Sequence, residues 1–180
     1  MSQFHKYFKP RFRDLLITKV IRLLGVDIGK DSYVIFGAKL SRFIKKIKIG
    51  SSTVVKSNAD LCVCNPDAKI TIGNETTIGN YTFVYSSKGI DIGNRCLIAP
   101  FVYIVDSNHG IERAEPIRYQ ENIAKKIKIA DDVWIGAHSI ITAGSNIGEG
   151  AVIAANSVVR SDIGAYEIWA GVPAKKIGDR

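Results

Sequence analysis

Aliphatic residues recur at every sixth position in the C-terminal part of this 180-residue chain. An α-helix repeats about every 3.6 residues and a strand about every two, so neither element alone explains this period. Most repeats also place a small residue directly after the aliphatic one. A six-residue repeat is typical of a β-solenoid. The series consists of Ile129, Ile135, Ile141, Ile147, Ile153 and Val159.

The physical reading of the repeat is a triangular coil. One six-residue unit forms one flat side, and three sides close a coil of about eighteen residues. The aliphatic residue points inward, and its small neighbour lets successive coils stack at about 4.8 Å. A single coil cannot bury its own core, so the coils must cover one another.

The same period extends upstream in shifted frames, and each shift indicates a small insertion at a corner. Together the runs occupy residues 28–164, which is enough for about six coils. With 46% hydrophobic residues in the chain, we predict an all-β solenoid that forms one domain. The upstream members are Ile28, Val34, Ile49, Val55, Leu61, Ile72, Ile78, Val84, Ile90, Ile92, Ile98 and Ile104.

The composition limits the classes of partner. The net charge of +8 arises partly from clusters at residues 42–48, 125–128 and 175–176. We expect most of these cations to be solvated and a minority to bind a phosphate-bearing ligand. No basic recognition helix or aromatic-interleaved platform is evident, so we expect no nucleic-acid partner.

Metal chemistry and export are not expected. The cysteines Cys62, Cys64 and Cys96 lack C-x-x-C spacing and are expected to be reduced thiols. The only histidines are His5, His109 and His138, and His5 lies outside the repeats, so a three-histidine metal site is hard to assemble. The sequence shows no signal peptide and no long apolar run, which favours a cytoplasmic location.

Residues 1–27 are predicted to form an N-terminal helical cap. An amphipathic pattern over residues 4–24 predicts the helix, although Pro10 complicates its first turns. We favour a cap over the open end of the solenoid. The alternative is a basic amphipathic helix that lies on an anionic membrane, at its inner face. The apolar side consists of Phe8, Phe12, Leu15, Leu16, Val20, Leu23 and Leu24.

Two segments leave the period. Residues 165–180 are predicted to form a strand and a turn that either seal the last coil or close over a polyanionic ligand. Residues 105–126 must leave the solenoid as a long loop, and such loops are often functional. His109 lies at the root of that loop. By residue type and location alone, this histidine is more often a polar surface residue than a catalytic one.

Four motifs in order decide between these readings. They are residues 92–100 (IGNRCLIAP), His109 on the loop, residues 133–136 (VWIG) and residues 170–175 (AGVPAK). This order resembles the hexapeptide-repeat acyltransferases over residues 70–177. It is most similar to their sugar O-acetyltransferase branch, which includes maltose, galactoside and polysaccharide-modifying enzymes. The resemblance implies a left-handed parallel β-helix and a homotrimer with active sites between subunits.

The resemblance also implies catalytic roles. His109 matches the histidine that acts as general base in the family. An imidazole with a pKa near about 6.5 can take a proton from a sugar hydroxyl at neutral pH. Transfer from acetyl-CoA would then be direct, in a ternary complex, with no acyl-enzyme. Either Asp106 or a backbone carbonyl would orient the ring.

The family's donor site maps onto four further residues. Trp134 would line the pantetheine and thioester, and Ala137 and Ala155 would offer main-chain contacts. Lys175 would approach the nucleotide phosphates of acetyl-CoA. Each could instead have a purely structural role, as a packing residue, a corner residue or a solvated end.

The chain departs from the maltose and galactoside branch on the acceptor side. Gly79 and Ser87 stand where that branch has an Asn and an Asp. Tyr81, Tyr85 and Ser86 are therefore the candidate sugar contacts, although tyrosines on such faces also pack between subunits.

We thus predict an acetyl-CoA-dependent sugar O-acetyltransferase for capsule, O-antigen or exopolysaccharide synthesis. Alternatives are an N-acetyltransferase of a nucleotide-linked amino sugar, a drug-modifying acetyltransferase, and a non-catalytic scaffold or glycan-binding solenoid.

Overall fold

The structure is a computed structural model and describes residues 9–180. Within it, three parallel sheets form the three sides of a triangular solenoid. Side A contains β1 (Asp27–Ile28), β4 (Ile47–Ile49), β7 (Ile70–Ile72), β10 (Ile90–Ile92), β15 (Ile127–Ile129) and β18 (Asn146–Ile147). Side C contains β3 (Lys39–Arg42), β6 (Asp60–Val63), β9 (Phe83–Ser86), β12 (Tyr103–Val105), β17 (Ile140–Ile141) and β20 (Val158–Val159).

Side B lies between sides A and C along each coil and continues beyond the last coil. It contains β2 (Tyr33–Val34), β5 (Val54–Val55), β8 (Thr77–Ile78), β11 (Leu97–Ile98), β16 (Trp134–Ile135), β19 (Val152–Ile153), β21 (Glu167–Gly171) and β22 (Ala174–Asp179). The strands close six coils, each with one strand per side. The predicted solenoid of about six coils is therefore confirmed.

Three columns of aliphatic side chains fill the interior. In each sheet the repeat residue of one coil stacks in register on its equivalent in the next coil. On side A, for example, Ile92 lies between Ile72 and Ile129, and all three are buried. β-branched side chains suit this position because they pack well against neighbours on a pleated surface. The six-residue period thus marks the core residues.

Two of the three corners have a regular backbone. Each regular corner contains one residue per coil in the left-handed region. Five of the six are not glycine and have φ between +53° and +61°, and the sixth is Gly37 at one corner and Gly150 at the other. One such column brings aromatic rings together: Tyr81 stacks on Phe101 with centroids 5.0 Å apart, and Phe101 stacks on His138 at 4.7 Å. Tyr81 therefore belongs to the corner between sides B and C.

The irregular segments all lie at the third corner, between sides C and A. The largest is the predicted loop, which leaves after Val105 and returns at Ile127. It contains an antiparallel hairpin formed by β13 (Ser107–His109) and β14 (Asn122–Ala124), with a 3₁₀ turn at Ile117–Tyr119. The loop is therefore an ordered hairpin stacked beside shorter insertions from earlier coils.

One helix, α1 (Phe12–Leu23), lies against the first coil in the described part of the chain. It begins after Arg11, so Pro10 precedes it, and the predicted start at residue 4 lies outside the described residues. Asp14 accepts a hydrogen bond from the Phe36 backbone N–H at 3.0 Å. Thr18 accepts one from the Val34 N–H at 3.0 Å.

The helix thus contacts the end of the solenoid mainly through polar side chains, and Ile21 also packs against the core. Arg22 extends the pattern by donating to the Gly29 carbonyl at 2.7 Å. The first coil has no preceding coil to pair with, so its strands present unpaired backbone groups that need polar partners. The residues of the apolar side that the structure describes are exposed: Phe12, Leu15, Leu16, Val20, Leu23 and Leu24.

The C-terminal segment closes the other end. β21 adds to β19 in parallel, and β22 folds back antiparallel to β21. Trp169 packs against the core, and its indole N–H donates to Glu167 at 2.9 Å. No helix in residues 9–180 is long and apolar enough to cross a bilayer.

Candidate functional site

An open groove of about 420 Å³ lies at the C–A corner, beside the root of the β13–β14 hairpin. Successive coils each contribute side chains to it. Its walls are mainly aromatic, hydroxyl and amide groups, and no carboxylate lines it. The lining residues are Arg42, Cys64, Tyr85, Ser87, Tyr103, Val105, Ser107, Asn108, His109 and Asn122.

His109 ends β13 and lies opposite Asn122 of β14. The neighbouring Gly110 N–H donates to the Glu121 carbonyl at 3.1 Å, which continues the hairpin beyond the pair. The His109 side chain is exposed, and its ring makes no hydrogen bond to the part of the chain that the structure describes. Its nitrogens are therefore accessible to a ligand in the groove.

Asp106 supports the root of the hairpin. Its carboxylate is fully buried and accepts backbone N–H bonds from Ser87 at 2.6 Å, Lys88 at 2.8 Å and Gly89 at 2.7 Å. The Ser86 hydroxyl approaches the same carboxylate at 3.0 Å. No hydrogen bond between Asp106 and His109 is present in the described structure. Asp106 thus fixes the adjacent turn, and its influence on His109 is indirect.

The predicted acceptor residues do not all reach the groove. Tyr85 lines it, whereas Tyr81 stacks with Phe101 at another corner. Ser86 is buried, and its hydroxyl is within 3.0 Å of the Lys69 carbonyl and of Asp106.

Several groove residues were missed by sequence reasoning. Tyr103 lies on the next coil and meets Tyr85 edge to face, with centroids 6.0 Å apart. Aligning the coils would have found it, because β9 and β12 pair in register. Arg42 is the last residue of β3, directly before an insertion, and Asn122 lies in the hairpin, where the period gives no signal. Ser87 lies next to the predicted Ser86 and lines the groove in its place.

The predicted coenzyme contacts lie on side B. Trp134 is 53% exposed and stands between Leu97 and Val152 of the adjacent coils. Ala137 follows β16 and Ala155 follows β19, the side B strand of the next coil. The Ala137 carbonyl accepts a hydrogen bond from the N–H of the residue after Ala155. These three residues therefore share one side of the last two coils.

Lys175 lies in β22, opposite Ala170. Its neighbour Lys176 is held by Glu167 at 3.0 Å and Asp179 at 2.7 Å, whereas Lys175 is exposed and forms no ion pair with the described residues. A bound anion could therefore use Lys175 without breaking an existing contact. Within one chain, the side B residues lie on a different side of the coil from the His109 groove.

The three cysteines are free thiols. The sulfurs of Cys62 and Cys64 are 3.7 Å apart, and burial raises the pKa of Cys62 to about 11. No cluster of three or more His, Cys, Asp or Glu side chains suited to a metal occurs among residues 9–180.

Comparison with known proteins places this geometry in a family. Residues 126–161 match the family described as bacterial transferase hexapeptide (six repeats). The putative lipopolysaccharide biosynthesis O-acetyl transferase WbbJ of Escherichia coli is 34% identical over 116 residues, 60% of this chain and 59% of that protein. A chloramphenicol acetyltransferase of Morganella morganii is 48% identical over 181 residues, 97% of this chain and 77% of that protein.

Comparison with solved structures gives the same family. The N-acyltransferase AntD of Bacillus cereus, in complex with dTDP-4-amino-4,6-dideoxyglucose and coenzyme A, has a TM-score of 0.79 at 26% identity. The match covers 91% of this chain and 88% of that chain. The chain belongs to the hexapeptide-repeat acyltransferases, as its motifs predicted. It spans only 38% to 59% of the length of the first curated relatives that it matches.

Proposed function

We propose that this chain transfers an acetyl group from acetyl-CoA to a hydroxyl of a sugar, with His109 as the general base. The observation that carries the proposal is the exposed, unbonded imidazole of His109 in a groove lined by Ser87, Asn108 and Asn122. In this family context, hydroxyl and amide side chains beside an accessible base suit a polyhydroxylated acceptor.

The proposed reaction has one tetrahedral intermediate. His109 takes the proton of the acceptor hydroxyl while the hydroxyl oxygen attacks the thioester carbonyl carbon. The intermediate collapses, the carbon–sulfur bond breaks, and the imidazolium returns the proton to the leaving coenzyme A thiolate. The acetyl group therefore passes directly to the acceptor, without an acyl-enzyme.

The proposed donor site uses Trp134, Ala137, Ala155 and Lys175 on side B. Since His109 lies at another corner of the same coil, we propose a homotrimer in which one copy supplies side B and its neighbour supplies the groove. The hairpin loop exposes apolar side chains that a second copy would cover: Ile111, Ile117, Tyr119 and Ile123. Light scattering should give three times the 19.7 kDa chain mass, and a monomer at micromolar concentration would contradict the trimer.

The relatives support two classes of acceptor. The name of WbbJ associates that protein with lipopolysaccharide biosynthesis, which supports a saccharide destined for O-antigen, capsule or exopolysaccharide. AntD is named an N-acyltransferase and holds a nucleotide-linked amino sugar, which supports an amine acceptor as the second candidate. The Morganella relative supports testing chloramphenicol as a third acceptor.

The decisive experiment replaces His109 with alanine and measures release of coenzyme A thiol with a panel of hydroxyl and amino sugars. Loss of the general base should lower kcat about 10²- to 10⁴-fold, while calorimetric affinity for coenzyme A stays unchanged. His138→Asn is the matched control, because His138 lies outside the groove and Asn tolerates its left-handed backbone. Full transfer by the alanine variant would exclude His109 as the base. No coenzyme A binding by the wild type would favour a non-catalytic solenoid.

We further propose that the reaction takes place in the cytoplasm and that α1 contacts the inner face of the membrane. The exposed apolar side chains of α1 include Leu16 and Leu23, and Arg13 and Lys19 flank them. This combination suits an anionic lipid surface.

A further inference from the structure

We propose that Arg42 binds a negatively charged group on the acceptor, so that the natural acceptor is an anionic saccharide. The inference rests on the proposed function, because it concerns the groove that contains His109. It names the residue that would recognise the charge, which neither the six-residue repeat nor the names of the relatives specify.

Arg42 is the only Lys, Arg, Asp or Glu among the groove residues. Its guanidinium forms no ion pair or hydrogen bond with the described residues. Neither Asp60, which accepts the Ser41 hydroxyl at 2.8 Å, nor Asp106, which is buried against the turn at residues 86–89, forms an ion pair with it. The positive charge of Arg42 is therefore open to a ligand.

The backbone places Arg42 at the rim of the groove. It ends β3 with a φ of +65° and lies outside the two regular corner columns. A non-glycine residue in this region carries strain, and such strain persists only where the surrounding structure enforces it. The following 3₁₀ turn, Ile44–Lys46, brings Lys45 and Lys46 next to Arg42 around an adjoining hollow. These lysines add to the positive potential at the rim.

The other groove residues indicate what carries the anionic group. Tyr85 and Tyr103 form an aromatic wall, which offers an apolar surface with polar edges to a sugar ring. Ser87 and Asn108 supply hydrogen-bonding groups for hydroxyls. A planar guanidinium binds carboxylate or phosphate with two parallel hydrogen bonds. The geometry therefore suits a sugar with one carboxylate or phosphate substituent, and the groove is within the usual volume of a small-molecule site.

The test compares matched saccharides on the full-length protein. Methyl glucoside is the neutral probe, methyl glucuronide adds a carboxylate, and glucose 1-phosphate adds a phosphate. Dissociation constants are measured by titration calorimetry in the presence of coenzyme A, and kcat/KM is measured by thiol release wherever transfer occurs. The variants are Arg42→Gln, the conservative Arg42→Lys, and Arg160→Gln as the control. Arg160 is exposed and does not line the groove.

The wild type should bind one anionic probe about tenfold or more tightly than methyl glucoside, as charge-assisted hydrogen bonds imply. Arg42→Gln should abolish this preference without changing the affinity for methyl glucoside or coenzyme A. Arg42→Lys should retain part of it, and Arg160→Gln should retain all of it. If Arg42→Gln weakens binding of methyl glucuronide, the recognised group is a carboxylate. If it weakens binding of glucose 1-phosphate, the recognised group is a phosphate.

Two outcomes would overturn the proposal. One is equal affinity of the wild type for the anionic probes and for methyl glucoside. The other is an equal loss of affinity for the anionic probes and for methyl glucoside in Arg42→Gln. Either result would leave the acetyltransferase assignment intact if transfer to any sugar continued. Conversely, charge-dependent binding without transfer to any acceptor would support the Arg42 subsite and contradict the proposed reaction.

Discussion

Asp106 and His109 are three residues apart, yet their side chains have different environments and different roles. The Asp106 carboxylate is buried and engaged by a neighbouring turn, whereas the His109 ring is exposed in the groove. The sequence placed both at the loop root but left open which group orients the imidazole. Whether Asp106 can reach the imidazole depends on the direction of each side chain. A spacing of three residues in an irregular segment does not determine that direction.

Replacing Asp106 with asparagine should destabilise the fold by about 2 to 4 kcal/mol, because an amide group would face backbone N–H donors that now bind a carboxylate. Urea unfolding measures the change. Asp27→Asn is the control, since its exposed ion pair with Lys48 contributes about 1 kcal/mol or less. Equal effects of the two variants would contradict the structural role of Asp106.

Ionisation of Cys96 should make the stability of the folded state depend on pH above about pH 9. Burial raises its pKa from 9.0 to about 11, and the thiol donates to the Ala130 carbonyl at 3.1 Å. The folded state disfavours the thiolate, so the stabilisation is complete below about pH 9 and is lost as the pH rises towards 11.

Between pH 8.5 and 10.5, the free energy of unfolding of the wild type should therefore fall by about 2 kcal/mol more than that of Cys96→Ala. Urea unfolding at both pH values gives the comparison. The alanine variant corrects for lysines and tyrosines that titrate in the same range. Parallel pH profiles of the two proteins would show that Cys96 ionises equally in the folded and unfolded states.

At the scale of elements, α1 shows that an amphipathic pattern can predict a helix without determining which of its faces contacts the solenoid. The apolar periodicity predicted a helix, and a helix forms from Phe12 to Leu23. Its contact with the solenoid is nevertheless made largely by Asp14, Thr18 and Arg22, with Ile21 packed against the core. The end of a β-solenoid offers strand edges as well as an apolar interior, and those edges require hydrogen-bonding partners.

If the exposed side of α1 binds membrane, the protein should cosediment with vesicles that contain phosphatidylglycerol and less with neutral phosphatidylcholine vesicles. Leu16→Asn combined with Leu23→Asn should reduce the bound fraction severalfold, because the buried apolar area falls. Val172→Asn with Ile177→Asn is the control, since these exposed residues lie at the opposite end. An equal reduction by both pairs would argue against a specific contact through α1.

At the scale of the molecule, stacked coils lie so close together that some corner positions have no room for a side chain and require glycine. A β-carbon on Gly50 would lie 2.5 Å from the Gly73 carbonyl carbon of the next coil. In contrast, a β-carbon on Gly178 would meet no atom within 4 Å. The solenoid therefore tolerates a side chain at one glycine and resists it at the other.

Gly50→Ala should accordingly lower the free energy of unfolding by about 1 to 3 kcal/mol, since the crowded atoms are backbone and can move little. Gly178→Ala should leave it nearly unchanged. Thermal or urea unfolding of the two variants provides the measurement. A tolerated alanine at residue 50 would show that the coils can separate without loss of core packing.

The sequence by itself determined the triangular coil, its interior columns and the position of the long loop, because the backbone period and the inward side chains follow from the six-residue spacing. The order of motifs around that loop also predicted His109 as the candidate general base. Only the tertiary structure decided what surrounds His109. Arg42 comes from the first coil and Tyr85 and Ser87 come from the third, and their meeting depends on how insertions of different length stack at one corner. The period is interrupted there, so it carries no information about side-chain direction.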